Sequence, residues 1–253
     1  MTKEGARAKD FFAAALGWTY GEMPGVPGGY LIRVDGKNAG ALMDLDVIQA
    51  PHEMAAHIGV MMRVESCDAA VARIEASGGS SEAPFDVMAN GRMAMCKDPN
   101  GAVFGLWQPM KEVGFEADSF ANGAPTWFET PTSDVPRAVR FYADVFGWQS
   151  EERPMPGMTY TLLKLDDHPI AGTMPIVPQM GPMSPCWATC FAVDDAQDTV
   201  CRAAAQGATV CFPVTPIPDV GLFAVLRSPQ GVDFSVMQFD AAWRGRFPGY
   251  AGG

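Results

Sequence analysis

Two nearby positions in the middle of the chain carry residue types suited to chemistry. Trp127 and Glu129 lie two residues apart in the segment PTWFETPT, residues 125–132. Alternate residues of a β-strand face the same side, so a strand here presents both side chains to one surface. A carboxyl group among apolar neighbours has a raised pKa and is suited to act as a general base. Glu129 is therefore the candidate catalytic residue, with a purely structural carboxylate as the alternative.

Further side chains are candidates for lining a ligand cavity around this strand. Aromatic and thioether groups form adaptable apolar walls, and hydroxyl and carboxyl groups supply hydrogen bonds. Asp233 follows a turn, so solvation at the end of its strand is the simpler interpretation for that residue. The candidate ligand-binding residues are Trp127, Tyr160, Trp187, Ser235, Met237 and Asp233.

The elements that position Glu129 are a strand and the helix that follows it. The pattern predicts a strand over 126–132 and a helix that opens near Asp134, whose carboxylate can cap free N–H groups of the first turn. Pro136 suits an early helical position, and apolar residues then recur at helical spacing. This helix has an apolar face to pack on a sheet, and it ends at the FGW of residues 146–148.

Much of the chain occurs twice at an offset of about 130 residues. FFAAALGW at 11–18 matches FYADVFGW at 141–148, and Tyr30 is aligned with Tyr160. A later turn and strand, DPNGAVFGLWQP, matches SPQGVDFSVMQF, and both turns are interpreted as connections without a further role. Chance similarity does not hold one offset over most of a chain, so the sequence contains two copies of one domain.

The repeat divides the sequence into two domains. Residues 1–110 form the first and 125–240 the second, with a linker at 111–124 and a tail at 241–253. Each domain contains two βαβββ units in series, which predicts an α+β fold. The first unit lacks the strand that its counterpart has before the helix, because the offset places that strand at or before residue 2. A truncated or misplaced start, cover by the tail and cover by a partner chain are three explanations that remain open.

Composition excludes some classes of function. The formal net charge of -11 argues against nonspecific nucleic-acid binding, which requires a cationic surface. No apolar run approaches the length of a membrane span, and the first fifteen residues contain no signal-peptide core. Six scattered cysteines in a chain without an export signal indicate reduced thiols and a cytoplasmic protein.

Three features of the chain occur together: paired βαβββ units, a strand–Asp–helix segment that ends FY…FGW, and a last strand introduced by DPNGAVFGLWQP. In these features the chain resembles the vicinal oxygen chelate superfamily, which includes glyoxalase I, extradiol dioxygenases and bleomycin-resistance proteins. More narrowly, it resembles the two-domain glyoxalase/hydroxylase-like members. The resemblance covers about residues 5–240 and implies two half-barrel domains around cavities. It is not specific for activity, because one fold hosts many chemistries.

The resemblance also implies a metal site from which this sequence departs. Metal-binding members place His on the first strand and Glu on the last strand of a unit. The aligned first-strand residues are Trp127, Ala188 and Gly59, and the aligned last-strand residues include Gly105 and Ser235. None of these carries an imidazole or a carboxylate, whereas an open divalent site needs about three such ligands. The sequence therefore predicts a protein with no metal and no cofactor.

Three functions remain open. The first is small-molecule binding, without metal, in an apolar and aromatic half-barrel cavity. The second is a metal-independent lyase or isomerase that uses Glu129 as a general base, for example to remove a proton beside a carbonyl. The third is a metal-dependent glyoxalase or dioxygenase with unaligned ligands, such as His57 and a carboxylate. The two copies can pack as a pseudo-symmetric monomer, and the unpaired edge can instead support a weak homodimer.

Overall fold

The computed structural model of the chain describes residues 1–50, 54–111, 113–155 and 157–246. Its helices are α1 (Gly5–Leu16), α2 (Cys67–Ala76), α3 (Val135–Phe146), α4 (Ala196–Ala205) and α5 (Ala241–Arg246), with a 3-10 turn at Pro178–Met180. None of the helices in the described ranges is both long and apolar enough to cross a membrane.

Strands occupy much of the remaining described chain. They are β1 (Thr19–Glu22), β2 (Gly29–Val34), β3 (Lys37–Met43), β4 (Met61–Arg63), β5 (Ser80–Ser81), β6 (Phe85–Val87), β7 (Gly91–Lys97), β8 (Val103–Pro109), β9 (Pro125–Thr132), β10 (Gln149–Met155), β11 (Met158–Leu165), β12 (His168–Pro175), β13 (Ala188–Ala192), β14 (Thr209–Ile217), β15 (Gly221–Arg227) and β16 (Asp233–Phe239). The predicted α+β class is confirmed. Sequence analysis missed β1, β5, β6, β10 and β14, which lie at sheet edges, contain no buried residue and therefore lack the alternation of a strand with one buried face.

The predicted strand and helix around Glu129 are confirmed. Along β9, Thr130 is fully buried, whereas Trp127 and Glu129 are half-buried on the other face. The Asp134 carboxylate accepts a hydrogen bond from a first-turn N–H group and caps α3. Gly147 ends the helix with a φ of 73°, in the left-handed region that glycine adopts without a steric penalty.

The chain packs as two compact units, and neither is a continuous half of the sequence. Unit I contains Met1–Ile58, Gly114–Thr126 and Thr189–Gly253, and unit II contains Gly59–Val113 and Trp127–Ala188. Unit I therefore combines the first and fourth βαβββ units, and unit II combines the second and third. These packing units differ from the sequence domains 1–110 and 125–240, whose boundaries remain a prediction from the repeat.

In unit I, α1 and α4 pack together beside two groups of strands. One group has the order β1-β2-β3, and the other has the order β13-β16-β15-β14. Phe11 and Phe12 of α1 share a buried core with Val200 of α4 and Phe234 of β16. The described part of the predicted tail forms α5, where the ring of Trp243 stacks on the ring of Phe239 in β16.

Most of the predicted linker, 111–124, is a structural part of unit I. Ala124 is fully buried, and the backbone N–H of Gly123 donates to the carbonyl of Ala192 at 2.7 Å. The indole N–H of Trp18 donates to the carbonyl of Gly123, also at 2.7 Å. From residue 114 onward this segment therefore contributes buried residues and backbone hydrogen bonds to unit I.

The first βαβββ unit lacks its opening strand, as predicted. At the position that β9 occupies in the third unit, Thr2 forms an isolated parallel bridge with Asp44. The backbone groups of Met1 and His57 exchange two hydrogen bonds, at 3.1 and 3.0 Å. Met1 and His57 therefore supply backbone pairing at only one end of the space that an opening strand would fill.

Unit II contains α2 and α3 with two further groups of strands. One group has the order β10-β11-β12-β9, and the other has the order β4-β8-β7-β5, with β6 also paired to β7. Phe104, Phe141, Tyr142 and Leu163 are among the large side chains buried in its core. The helices cover one face of these sheets, which leaves the opposite face for a site.

The sequence alignment of Tyr30 with Tyr160 is wrong by one residue. The β2–β3 hairpin turns at 35–36 and the β11–β12 hairpin at 166–167, an offset of 131 rather than 130. Tyr30 packs against the core of unit I, with Nζ of Lys9 3.6 Å from its ring centroid. Tyr160 lies on the opposite face of its hairpin, because a slip of one residue exchanges the two faces of a strand.

A buried contact between a phenol and a carboxylate ties α3 to the turn after β7. The hydroxyl of Tyr142 donates to Oδ2 of Asp98 at 3.1 Å and accepts from the indole N–H of Trp187 at 2.8 Å. Asp98 also accepts hydrogen bonds from the backbone N–H groups of Asn100 and Ala102. Burial raises the pKa of Tyr142, which keeps it a neutral phenol. The interpretation of this turn as a mere connection is therefore wrong.

We expect Tyr142→Phe to lower the free energy of unfolding by about 1–3 kcal/mol, because buried groups of Asp98 and Trp187 lose a partner. The repeat supplies the replacements for a matched double variant, because Phe12 and Ser228 of unit I occupy the positions equivalent to Tyr142 and Asp98. Combining Tyr142→Phe with Asp98→Ser should therefore cost less than the two single changes added together. Urea denaturation measures all three variants, and simple additivity would contradict the coupling.

Candidate functional site

A hydrogen-bonded trio lies on the sheet face of unit II that is turned away from the helices. The indole N–H of Trp127 donates to the hydroxyl oxygen of Tyr160 at 2.7 Å. The Tyr160 hydroxyl donates to Oε1 of Glu129 at 2.8 Å. All three side chains are half-buried. We call these three residues the Glu129 trio.

The core of unit II decides which way the trio faces. On β9, Phe128 packs against the helical core and Thr130 is fully buried, so the alternation turns Trp127 and Glu129 to the other face. Tyr160 comes from β11, which is separated from β9 by β12. The shared face of Trp127 and Glu129 agrees with the sequence prediction, and the structure adds Tyr160 as their direct partner.

The surroundings of Glu129 change its acidity. Burial raises the pKa of Glu129 above its ordinary value, and the hydrogen bond from Tyr160, with the indole N–H of Trp127 beside it, opposes this rise without cancelling it. A carboxyl group with a raised pKa keeps its proton to higher pH and can donate it to a ligand oxygen. In its ionised form, the same group takes up a proton more readily than an exposed glutamate does.

Trp187 lies in the core of unit II and not beside the trio. Its side chain is only 6% exposed, and its ring packs edge-on against Tyr142 and Trp148. Its indole N–H is already bonded to the Tyr142 hydroxyl. These contacts place Trp187 in the buried core of unit II and give no support to a ligand-binding role, which stays a prediction. Trp187 precedes β13 instead of opening it, so the alternation assumed for that strand does not apply to it.

Asp233 forms a surface ion pair. Its two carboxylate oxygens accept hydrogen bonds from Nε and Nη2 of Arg227 at 2.6 and 2.9 Å, and both side chains are more than half exposed. Exposed pairs of this kind contribute little to stability. The pairing agrees with solvation at a strand end and gives no support to a ligand-binding role for Asp233.

Ser235 and Met237 lie on one face of β16 in unit I, and each is 8% exposed. The residues between and before them, Phe234 and Val236, point into the core of unit I. The hydroxyl of Ser235 donates to the carbonyl of Thr189 at 3.3 Å. Both residues thus face away from the core, as a ligand-binding role requires, and their participation in a cavity remains a prediction.

Two residues of β12 share the face of the trio, and sequence analysis missed the first of them, Gly172. Gly172 is paired with Glu129 in the parallel ladder between β12 and β9, and Met174 is paired with Pro131. Met174 is nearly buried, at 6% exposure. A glycine inside a strand was the available signal, because it often marks the close approach of another group.

A surface cleft of about 330 Å³ in unit II is separate from this site. It lies beside α3, and its polar lining consists of Ser77, Asp134, Arg137, Arg140 and Asp144. None of the predicted site residues lines it. Ligand pockets are usually apolar with a few polar groups, so a cleft with mostly charged walls is the weaker candidate.

The donors around the trio do not fit a divalent metal ion. Within the described ranges, no three His, Cys, Asp or Glu side chains are grouped closely enough to hold one. The polar neighbours of Glu129 are an indole and a phenol, whereas divalent sites in proteins use imidazole, thiolate or carboxylate groups. His57, the ligand named in the third hypothesis, is exposed, with Nδ1 2.9 Å from the carbonyl of Ala55. His52 lies outside the described residues.

We expect Glu129→Gln to change the pH dependence of stability. Because its pKa is raised in the folded state, the native protein binds more protons than the unfolded chain, and its stability falls as pH rises from about 4.3, the ordinary pKa of glutamate. The neutral amide has no such loss. The unfolding free energy of the variant minus that of the wild type should therefore increase with pH through this window and then level off.

Urea denaturation at a series of pH values measures this difference. Glu152→Gln, at an exposed position of β10, controls for the chemical change itself. A difference that does not vary with pH for Glu129→Gln would contradict a raised pKa.

Solved structures resemble this chain in fold. The Mn(II)-bound glyoxalase of Novosphingobium aromaticivorans gives a TM-score of 0.60 at 19% identity, with 95% of this chain and 82% of that chain covered. The 2,2',3-trihydroxybiphenyl 1,2-dioxygenase of Sphingomonas wittichii gives a TM-score of 0.62 at 15% identity, with 92% of this chain and 85% of that chain covered. At such identities the likeness concerns the fold alone.

Relatives and family descriptions identify the superfamily. CFP32 of Mycobacterium bovis, provisionally named a glyoxylase, is 35% identical over 94% of this chain and 92% of its own length. The anthracycline biosynthesis protein DnrV of Streptomyces peucetius is 32% identical over 98% of this chain and 92% of its own length. A glyoxalase-like domain model matches residues 2–107, and the glyoxalase/bleomycin resistance protein/dioxygenase superfamily model matches 125–236. The chain therefore consists of two glyoxalase-like domains and belongs to the glyoxalase/bleomycin resistance protein/dioxygenase superfamily.

Proposed function

We propose that the protein binds a small planar organic molecule at the Glu129 trio, without a metal ion. The observation that carries this proposal is the trio itself, in which a half-buried carboxyl group, a phenol and an indole are joined by hydrogen bonds of 2.7 and 2.8 Å. These groups lie on a sheet face turned away from the core. Binding sites commonly combine such aromatic surface with a few placed polar groups.

Each residue of the trio has a distinct part in binding. The indole of Trp127 offers a flat aromatic surface on which a planar ligand can stack. Its N–H group is held by Tyr160, which orients the ring. Glu129, whose pKa is raised, can keep its proton and donate it to a carbonyl oxygen of the ligand. The site therefore suits a flat conjugated molecule that carries a keto group.

The relatives support this ligand class. DnrV of Streptomyces peucetius and DauV of a second Streptomyces strain are both named anthracycline biosynthesis proteins, and DauV is 31% identical to this chain. Anthracyclines are fused-ring aromatic compounds with keto and phenol oxygens. We infer that the ligand of this protein belongs to the same chemical class of oxygenated polycyclic aromatics.

A second candidate function is metal-independent lyase or isomerase chemistry with Glu129 as the general base. The raised pKa of Glu129 favours it, because a base is most effective when its pKa approaches the working pH. The ionised carboxylate would take a proton from the carbon beside a ligand carbonyl, and the electron pair left behind would be delocalised onto that carbonyl oxygen. The Tyr160 hydroxyl holds the carboxylate in place for this step.

We expect alizarin, a planar hydroxyanthraquinone, to bind to the wild-type protein. Trp127→Ala should weaken binding by about tenfold or more, equivalent to about 1.4 kcal/mol, because the stacking surface is removed. Trp243→Ala, in α5 of unit I, is the matched control and should leave the affinity unchanged. Isothermal titration calorimetry gives the affinities. Equal binding by Trp127→Ala and the wild type would contradict the proposed site.

Native mass spectrometry of protein purified without added metal or chelator tests the metal-free part of the proposal. It should show organic ligand bound to the chain and no divalent ion. A tightly held divalent ion whose removal abolishes alizarin binding would overturn this part and return the glyoxalase and dioxygenase hypotheses to consideration.

The second function predicts a catalytic defect for Glu129→Gln. If Glu129 is a base, the wild-type protein should speed deuterium exchange at the carbon beside the carbonyl of α-tetralone, and Glu129→Gln should slow this exchange by about 10²- to 10⁴-fold. NMR in deuterated buffer follows the exchange, and alizarin binding shows that the variant still holds ligand. Full exchange activity in a folded Glu129→Gln variant would eliminate the base hypothesis.

A further inference from the structure

Gly172 occupies a central place beneath the trio. It lies in β12, which runs between β11 and β9, and it is paired with Leu162 on one side and Glu129 on the other. Neighbouring strands are about 4.8 Å apart, so Tyr160 on β11 must reach across about two strand spacings to approach Glu129 on β9. The only direct route for its side chain passes over the backbone of β12.

The Tyr160 side chain takes this route at Gly172. A Cβ atom added to Gly172 would lie 1.9 Å from the hydroxyl oxygen of Tyr160, 2.2 Å from Cζ and 2.6 Å from Cε1. Real Cβ atoms essentially never approach another heavy atom within 3.0 Å. The phenol ring therefore occupies the space that any side chain at residue 172 would need.

The backbone conformation at residue 172 does not require a glycine. Gly172 is absent from the described residues with positive φ, so its backbone lies in a region that alanine can adopt. The steric conflict arises from Tyr160 alone among the nearest atoms, since all three belong to that residue. The absence of a side chain at this position thus serves the placement of Tyr160 rather than the shape of β12.

The first βαβββ unit shows the alternative arrangement. In its hairpin, Ala41 is paired with Leu31, which is the position that Gly172 holds opposite Leu162 in the third unit. The tyrosine of that hairpin, Tyr30, packs against the core on the other face. A residue with a side chain therefore stands at this position where no tyrosine crosses the strand.

We propose that Gly172 is a positioning residue for the ligand site, because its lack of a side chain lets Tyr160 cross β12 and join Glu129 and Trp127. This inference rests on the proposed function for its biological purpose, but its geometric part concerns the protein without ligand. Replacing Gly172 by alanine forces the phenol ring away from β12 and separates it from Oε1 of Glu129, which it now contacts at 2.8 Å.

The first experiment is NMR of the indole N–H signals in the full-length protein without ligand. Trp127→Phe assigns the Trp127 signal among the six tryptophans. Gly172→Ala should shift this signal in the same direction as Tyr160→Phe, because both changes remove the acceptor of the Trp127 N–H. Gly21→Ala, in β1, is the matched control, since its nearest contact would be 3.6 Å away, and it should leave the signal in place.

A folded Gly172→Ala variant with an unchanged Trp127 signal would overturn the inference. If the variant does not fold, the double variant Gly172→Ala with Tyr160→Ala decides the matter. Without the ring, alanine at position 172 should be tolerated, and the double variant should denature at about the same urea concentration as Tyr160→Ala alone. Equal damage by Gly172→Ala in both backgrounds would show that the ring is not the cause.

The outcome separates this inference from the proposed function. A shifted Trp127 signal in a protein that binds no alizarin would support the positioning role and overturn the proposed ligand. Alizarin binding together with an unchanged signal in Gly172→Ala would support the ligand and overturn the positioning role.

Discussion

The alternation of side chains along β9 is the constraint on which the site in unit II depends. Thr130 and Thr132 are fully buried on the side of the helical core, so the period of two turns Trp127 and Glu129 to the opposite face. A slip of one residue would bury the Glu129 carboxyl group among apolar side chains and remove it from Tyr160. The packing of the core thus determines where the polar groups of the site can be.

The two copies of the sequence share a plan but differ in their polar contacts. In unit II the hydroxyl of Tyr142 bonds to Asp98, whereas Phe12 and Ser228 stand at the equivalent positions of the repeat. A phenol buried without a partner would be costly, so the hydroxyl and the carboxylate are present together or absent together. Within the described residues, the opening strand of the first βαβββ unit is reduced to the bridge between Thr2 and Asp44.

At the candidate site, this chain carries side chains that differ from those the superfamily resemblance implies. Its solved neighbours include a Mn(II)-bound glyoxalase, yet the position that resemblance assigns to a histidine ligand carries Trp127 here. The indole donates a hydrogen bond to the Tyr160 hydroxyl, which in turn donates to Glu129, a carboxyl group whose pKa is raised by burial. One fold can therefore carry different side chains at corresponding positions.

The sequence by itself determined the features that depend on local pattern. These are the repeat, the α+β class, the cap of α3 by Asp134, and the shared face of Trp127 and Glu129. Only the tertiary structure decided that Tyr160 joins Glu129, that Trp187 is buried against Tyr142, and that the chain packs as units I and II. These features depend on strand register and on contacts between residues far apart in the chain, and a shift of one residue reverses a face while leaving the local pattern almost unchanged.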